Sequence, residues 1–392
     1  NPGVAQGAGI IDPYFTDGTF EKDETGAFYS KENECLWPSS KNKLHFFAYY
    51  PSVASMKETC GIQYFNLANN TKRLDVGVNL DFRLEKFVVA REIADQADFL
   101  TAYSSGSLED NGGTGIALDF KHQLARIELS AWGNNDKNDF DIAGVRIGNP
   151  LTLGDFNFSV LPRAEIAPAS PWMNTSGIHS AVEHIFSAGE TVVRLSKAAG
   201  SHLSENDAVS LMGTAGPAML IPMSTRIEAW EGINDPAIAD ADYSTDKMYF
   251  SVLMRVKNTD NQVVYPYPVN SDNMNVEYFA IDRYGKIVER LYLIDGEYYT
   301  TPESSADLRY IPDATVEICR FGWAALPVAA KWEAGKIYTY KLNYSNGIGW
   351  HDPEDPSPGE PIIERGKIPF EVSVQEWIPA EDYNPDINVP KR

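Results

Sequence analysis

Cysteine is scarce in this chain of 392 residues, occurring only as Cys35, Cys60 and Cys319. Three thiols are too few for a disulfide scaffold, and none sits in a C-x-x-C pair of the kind used for zinc or thiol exchange. Cys35 and Cys60 flank the apolar run 44–50. A bridge between them in an oxidising compartment would contribute about 3 kcal/mol on the chain-entropy model; three buried thiols are the alternative reading. Basic charge is also in short supply, with 33 Lys and Arg against 55 Asp and Glu, a formal net charge of −22. Such a chain repels polyanions and offers no basic stripe for phosphates, which argues against a nucleic-acid partner. No apolar run reaches the roughly 18 to 20 residues of a membrane-spanning helix. The opening NPGVAQGAGIIDPYF lacks a basic segment followed by an apolar one, so any targeting segment is expected upstream of Asn1.

Catalytic signatures are missing as well. There is no G-x-S-x-G, no H-E-x-x-H, no Walker phosphate loop and no strand-linked G-x-G-x-x-G. Ser40 and Lys43 share an S-x-x-K spacing, but a motif of two positions in a polar stretch arises readily by chance. The histidines, His45, His122, His179, His184, His202 and His351, include no i, i+4 pair that would place two imidazoles on one helix face. His122 reads as a packed ring bonded to backbone. The chain therefore reads as a non-enzyme without a cofactor.

Two acidic clusters remain as metal candidates, Asp235, Asp240, Asp242 and Asp246 in one and Asp352, Glu354 and Asp355 in the other. Oxygen ligands at this density can hold calcium, yet neither cluster has EF-hand spacing, and a solvated acidic loop is the competing reading. Among the eight tryptophans, Trp172 and Trp350 lie beside loop-like residues. They are the two expected to stand exposed, where an indole face could stack against a sugar ring.

What the chain has in abundance is strand pattern. It is 43% hydrophobic, with 20 Tyr, 18 Phe and 8 Trp, the residue types that suit half-buried pleated surfaces. Residues 336–344 alternate Tyr338, Tyr340, Leu342 and Tyr344 with Thr339, Lys341 and Asn343, predicting a half-buried strand. Residues 368–377 predict another, with Ile368, Phe370, Val372 and Val374 on the buried face. Between Ile116 and Trp132 the apolar parity flips near Ala125, which predicts a β-bulge within one strand. The best helix candidate, 84–97, also fits a strand followed by a loop.

Turn residues at 109–113, 133–136, 148–150, 257–262 and 346–347 separate the strands. Strands at about ten-residue spacing argue for sandwiches. The length suits two domains, and the Pro-, Ala- and Ser-rich stretch 161–177 places their boundary near residue 162, giving domains 1–162 and 163–392. The segment 351–361 reads as an exposed acidic loop.

Several segments in fixed order resemble the fimbrillin family, the pilins and related surface lipoproteins of Bacteroidales. They are WPSSKNKLHFFAYYP (37–51), ADFLTAYSSG (97–106), IALDFKHQLARIEL (116–129), VRIGNPLTLGDFNF (145–158), AMLIPM (218–223) and WEAGKIYTYKL (332–342). The resemblance implies an all-β chain of two transthyretin-like β-sandwich domains in tandem. It further implies a lipoprotein precursor, with the lipid-bearing cysteine upstream of Asn1, carried to the outer membrane. Proteolytic removal of an N-terminal strand and polymerisation with other pilin subunits by strand exchange would follow, with a host or bacterial surface ligand as a further partner. A non-polymerising surface lipoprotein that binds glycans is the alternative. Cleavage in the family follows an early basic residue. Here the first arginine is Arg73, and the processing candidates are Lys22 and Lys31, with the removable strand expected within residues 9–15.

Overall fold

The structure is a computed structural model and describes residues 20–22, 24, 28–30, 43–51, 66–67, 83–111, 115–163, 170–230, 247–267, 275–355, 358–363 and 368–377. Period-two alternation translates almost everywhere into strand, and the fold is all-β. The single α-helical turn among the described residues is α1 (Leu108–Asn111). The chain divides into two units with interleaved segments. The first takes 1–90, 97–124 and 151–178, and the second 91–96, 125–150 and 179–392. Residue 162 lies inside the third segment of the first unit, so the boundary expected there coincides with an end of neither.

The first unit holds three small antiparallel sheets. β1 (Phe20–Lys22) pairs with β2 (Phe28–Ser30). β3 (Leu44–Tyr50), β6 (Leu100–Gly106) and β7 (Lys121–His122) form a second sheet in the order β3-β6-β7. β4 (Asn66–Leu67), β5 (Arg83–Val88), β10 (Leu153–Asn157) and β11 (Trp172–Ser176) form the third, ordered β11-β10-β5-β4. An aromatic cluster fills this unit. Trp172 meets Phe87, Phe99 and Phe156 edge-on at centroid distances of 5.3, 5.9 and 5.2 Å. Phe156 in turn meets Phe158 at 5.0 Å. Edge-on contacts set the positive rim of one ring against the negative face of the next.

The second unit is built on a ten-stranded sheet. Its strands are β9 (Asn138–Gly148), β12 (Ala181–Ile185), β13 (Val193–Leu195), β16 (Tyr249–Asn258), β17 (Val263–Tyr265), β18 (Val276–Asp282), β19 (Ile287–Ile294), β20 (Glu297–Tyr299), β21 (Val316–Pro327) and β23 (Trp350–His351). The main path runs β12-β9-β16-β21-β18-β19-β20. A five-stranded sheet packs on it, made of β8 (Ala125–Trp132), β14 (Val209–Ser210), β15 (Ala218–Leu220), β22 (Lys336–Asn343) and β24 (Phe370–Glu376). Its order is β14-β8-β22-β24, with β15 also on β8 and with β8 and β22 parallel. Phe250 meets Tyr340 edge-on at 4.8 Å and Phe140 meets Tyr344 at 5.1 Å, which closes the sandwich. Along β16 the residues Phe250, Val252, Met254 and Val256 are all fully buried.

Three sequence expectations resolve in instructive ways. Residues 84–97 are a strand, β5, followed by a loop and a single 3-10 turn at Ile93–Asp95. The parity change near Ala125 is no bulge inside one strand. β7 belongs to the first unit and β8 to the second, and the chain passes from one to the other between Leu124 and Ala125. Residues 115–120 are not in a strand and Leu118 is 38% exposed, so the even-numbered apolar positions before the crossing do not form one buried face. The alternation of 336–344 is met in full, since Tyr338, Tyr340, Leu342 and Tyr344 are buried.

Trp172→Ala should destabilise the protein by about 3–5 kcal/mol, because it opens a cavity among three rings that cannot collapse onto one another. Urea unfolding followed by circular dichroism measures this, and a loss below about 1 kcal/mol would show that the aromatic cluster does not hold the first unit together.

Candidate functional site

Several sequence candidates fall outside the described residues: Lys31, Cys35, Ser40, Cys60, the acidic cluster Asp235, Asp240, Asp242 and Asp246, and the segment 9–15. Lys22 is the last residue of β1. Cys319 is a buried free thiol on β21. Burial pushes it up to about 12, with the Arg255 guanidinium 2.8 Å away pulling in the opposite direction. His122 is packed as expected, yet its Nδ1 lies 2.7 Å from the Asp98 carboxylate, so a side chain supplies a partner where backbone alone was foreseen.

The two tryptophans singled out as open platforms differ in burial. Trp172 is 6% exposed, and its Nε1 donates to the Gln123 carbonyl at 2.7 Å. The apolar ring fills the first unit's core while the one polar atom finds a backbone acceptor. Trp350 is half-buried against Trp230, Tyr249 and Ala325.

The acidic loop at 351–361 departs furthest from expectation. Asp352 is fully buried. Its carboxylate meets Arg146 Nη1 at 3.3 Å, accepts the Ser251 hydroxyl and accepts the Glu354 backbone N–H at 3.0 Å. Arg146 Nη1 also reaches Glu354 at 3.0 Å, and its Nε reaches Glu183 at 3.2 Å. The guanidinium lies 4.1 Å from the Trp323 ring centroid. Burial pushes the Asp352 carboxyl above the ordinary range, and the Arg146 charge and Ser251 bond offset only part of that. Asp352 is thus a buried counter-ion of Arg146, while Glu354 and Glu360 stay exposed on the same loop. Among the described residues no three His, Cys, Asp or Glu side chains group as a metal would need.

A second cluster lies on the same sheet. Asp141 receives Arg255 Nη2 at 2.9 Å, Arg194 Nε at 2.9 Å and Lys257 Nζ at 3.2 Å. Burial pushes its carboxyl up, but the Arg194 bond and the three cationic charges more than reverse this and hold it below the usual carboxylate range. These clusters were missed from sequence. Their signal was present as single charges inside apolar runs, Asp141 and Arg146 in 140–147 and Arg255 in 249–256.

The surface best suited to a function lies on β24. It is the last strand on its sheet's path and pairs with β22 from Lys336↔Glu376 to Leu342↔Phe370. Val372 and Val374 stand opposite Tyr340 and Tyr338, so they share the face on which both tyrosines are buried. Yet Val372 is 44% and Val374 55% exposed. The strand expected at 368–377 is there, but its apolar face runs beyond the cover that shields β22. Among the described residues its outer edge carries no strand, and an edge of this kind is a template for pairing with another chain.

Arg146→Met should cost about 3–5 kcal/mol at neutral pH, because Asp352 loses its counter-charge while staying buried and Glu183 keeps only Arg91. Without Arg146 the Asp352 carboxyl rises further. The folded state then holds the proton more tightly than the unfolded state, so its relative stability grows as pH falls through the folded value. The deficit should therefore be largest near pH 7 and shrink toward pH 4, as read by unfolding midpoints of both proteins across that range. A deficit independent of pH would exclude the carboxylate explanation.

One family model, described as fimbrillin-like, matches residues 4–377. No curated protein matches the chain. Among solved structures it is similar to a candidate cell adhesion protein of Bacteroides uniformis ATCC 8492, at 12% identity and a TM-score of 0.35, covering 94% of this chain and 89% of that one. A candidate cell adhesion protein of Bacteroides ovatus ATCC 8483 gives 12% identity and a TM-score of 0.34, covering 92% and 78%. Another from Parabacteroides distasonis ATCC 8503 gives 9% identity and a TM-score of 0.38, covering 92% and 89%. The family match runs through both units and nearly the whole sequence, and on that ground the chain belongs to the fimbrillin-like family.

Proposed function

We propose that this chain is a structural subunit of a pilus or a fimbrillin-like adhesin at the cell surface. In this reading it assembles with other subunits by strand exchange after proteolytic removal of an N-terminal strand. Membership of the fimbrillin-like family supports a fimbrial or adhesin-like role. The observation that carries the assembly reading is the β24 edge, where, among the described residues, a sheet ends on a strand with a half-uncovered apolar face. An added strand would draw affinity from main-chain hydrogen bonds and specificity from alternate side chains. Two transthyretin-like domains, a lipid-anchored precursor and an outer-membrane address belong to the same proposal.

Processing would fall after Lys22 or Lys31. A cut after Lys22 severs the link between β1 and β2, and a cut after Lys31 leaves that hairpin whole on the released piece. Loss of an N-terminal strand would expose backbone groups that cost free energy until another strand fills the place. Limited trypsin digestion followed by size-exclusion chromatography tests this. The product cut at Lys22 or Lys31 should elute as a ladder of assemblies at high concentration. A cut product that stays monomeric would remove the strand-exchange reading.

A further inference from the structure

The geometry points to a second, cleavage-independent contact: β24 of one molecule pairs antiparallel with β24 of a second copy, about a two-fold axis through Ser373. The strand reads Phe-Glu-Val-Ser-Val-Gln-Glu. Folded back on itself about Ser373, it places Val372 opposite the partner's Val374 and Glu371 opposite the partner's Gln375. It also places Phe370 opposite the partner's Glu376. No two like charges stand directly opposite, and every pair keeps its residues on one face, as antiparallel pairing requires. A centre moved by half a residue would set the valine face of one copy against the polar face of the other. A centre at Glu371 would oppose two carboxylates. The centre at Ser373 also overlaps all seven residues, the longest ladder available to two such edges.

The exposed side chains favour the same occupant. Val372 and Val374 are the large apolar residues of this strand that lie exposed, and the two-fold pairing sets the valines of both copies side by side on a single continuous face. The next strand inward, β22, supplies Tyr338 and Tyr340 on that face. A contact of this kind is isologous and closes at two molecules. It differs from strand exchange between subunits in needing no processing and generating no chain of copies, and it competes with an added strand for the same β24 edge. The two copies each carry a formal charge of −22, so their approach is opposed at low ionic strength and the pairing should strengthen as salt screens it.

Register makes the inference testable in the intact, uncleaved chain. Ser373 faces its own symmetry mate, at the roughly 4.5–5.5 Å Cα separation of directly opposed residues, which is within disulfide range. Glu371 lies four residues out of step with its mate, about 13 Å along the ladder, and is beyond that range. Ser373→Cys and Glu371→Cys are compared with the unmodified chain under mild oxidation at 50 and 500 mM NaCl, with non-reducing electrophoresis as readout and circular dichroism to confirm folding. Ser373→Cys should give covalent dimer at least about tenfold more efficiently than Glu371→Cys or the parent, and more at the higher salt. Val374→Lys in the Ser373→Cys background should abolish it. Equal cross-linking of the two cysteine variants, or none from Ser373→Cys, would overturn the pairing. Neither result bears on assembly after trypsin cleavage, so the two readings fail separately.

Discussion

The second unit depends on a sheet buried on both of its faces. The inner face of β16 is apolar without interruption, and the five-stranded sheet covers it. The opposite face holds Arg146 and Arg255, buried over the Trp323 and Phe321 rings. A guanidinium removed from water is tolerable only when its charge and its fork of donors are matched. Much of what surrounds the sheet follows from that demand. Glu183 on β12, Asp352 and Glu354 in the loop after β23, and Asp141 on β9 are brought in from distant stretches of the chain. Glu183 stands directly opposite Arg146 and Asp141 directly opposite Arg255 on neighbouring strands of the ladder, so only Asp352 and Glu354 come from a loop.

Pattern was legible in the sequence wherever neighbours on a single strand decided the outcome. Tyr338, Tyr340 and Leu342 face inward because alternation puts them on one side, where Phe250 meets Tyr340 from the other sheet. Alternation cannot say whether a cover exists. Val372 and Val374 obey the same rule as Tyr338 and Tyr340 but sit one strand further out, where the shielding stops. Trp172 is the opposite case. Set between Ser170-Pro171 and Met173-Asn174, it carries a loop signature, yet its burial comes from Phe87, Phe99 and Phe156 on other segments of the chain. The parity change at Ala125 was visible in sequence, but no single strand runs through it, because the chain passes from one unit to the other there.

The acidic composition also divides into two kinds of carboxylate. Most acidic side chains give the molecule its charge and its repulsion of polyanions. Asp141 and Asp352 are buried counter-ions, and their proton affinities are displaced in opposite directions: Asp141 faces several cations and is held low, whereas Asp352 is enclosed and held high. Acidification therefore pulls the same sheet two ways, weakening the Asp141 cluster as it relieves the charge on Asp352.

The parallel pairing of β8 with β22 has a consequence in time. Thr339 on β22 bonds Glu128 on β8 across 211 residues of intervening chain, and β9 likewise waits for β16. A polypeptide emerging from its N-terminus presents β8 and β9 long before their central neighbours exist. Contacts of such sequence separation carry a large loop-closure cost and slow the search for the native sheet. Until β22 arrives, the strands that will lie at the centre of the sandwich are exposed edges, and whatever escorts this chain must protect them from one another.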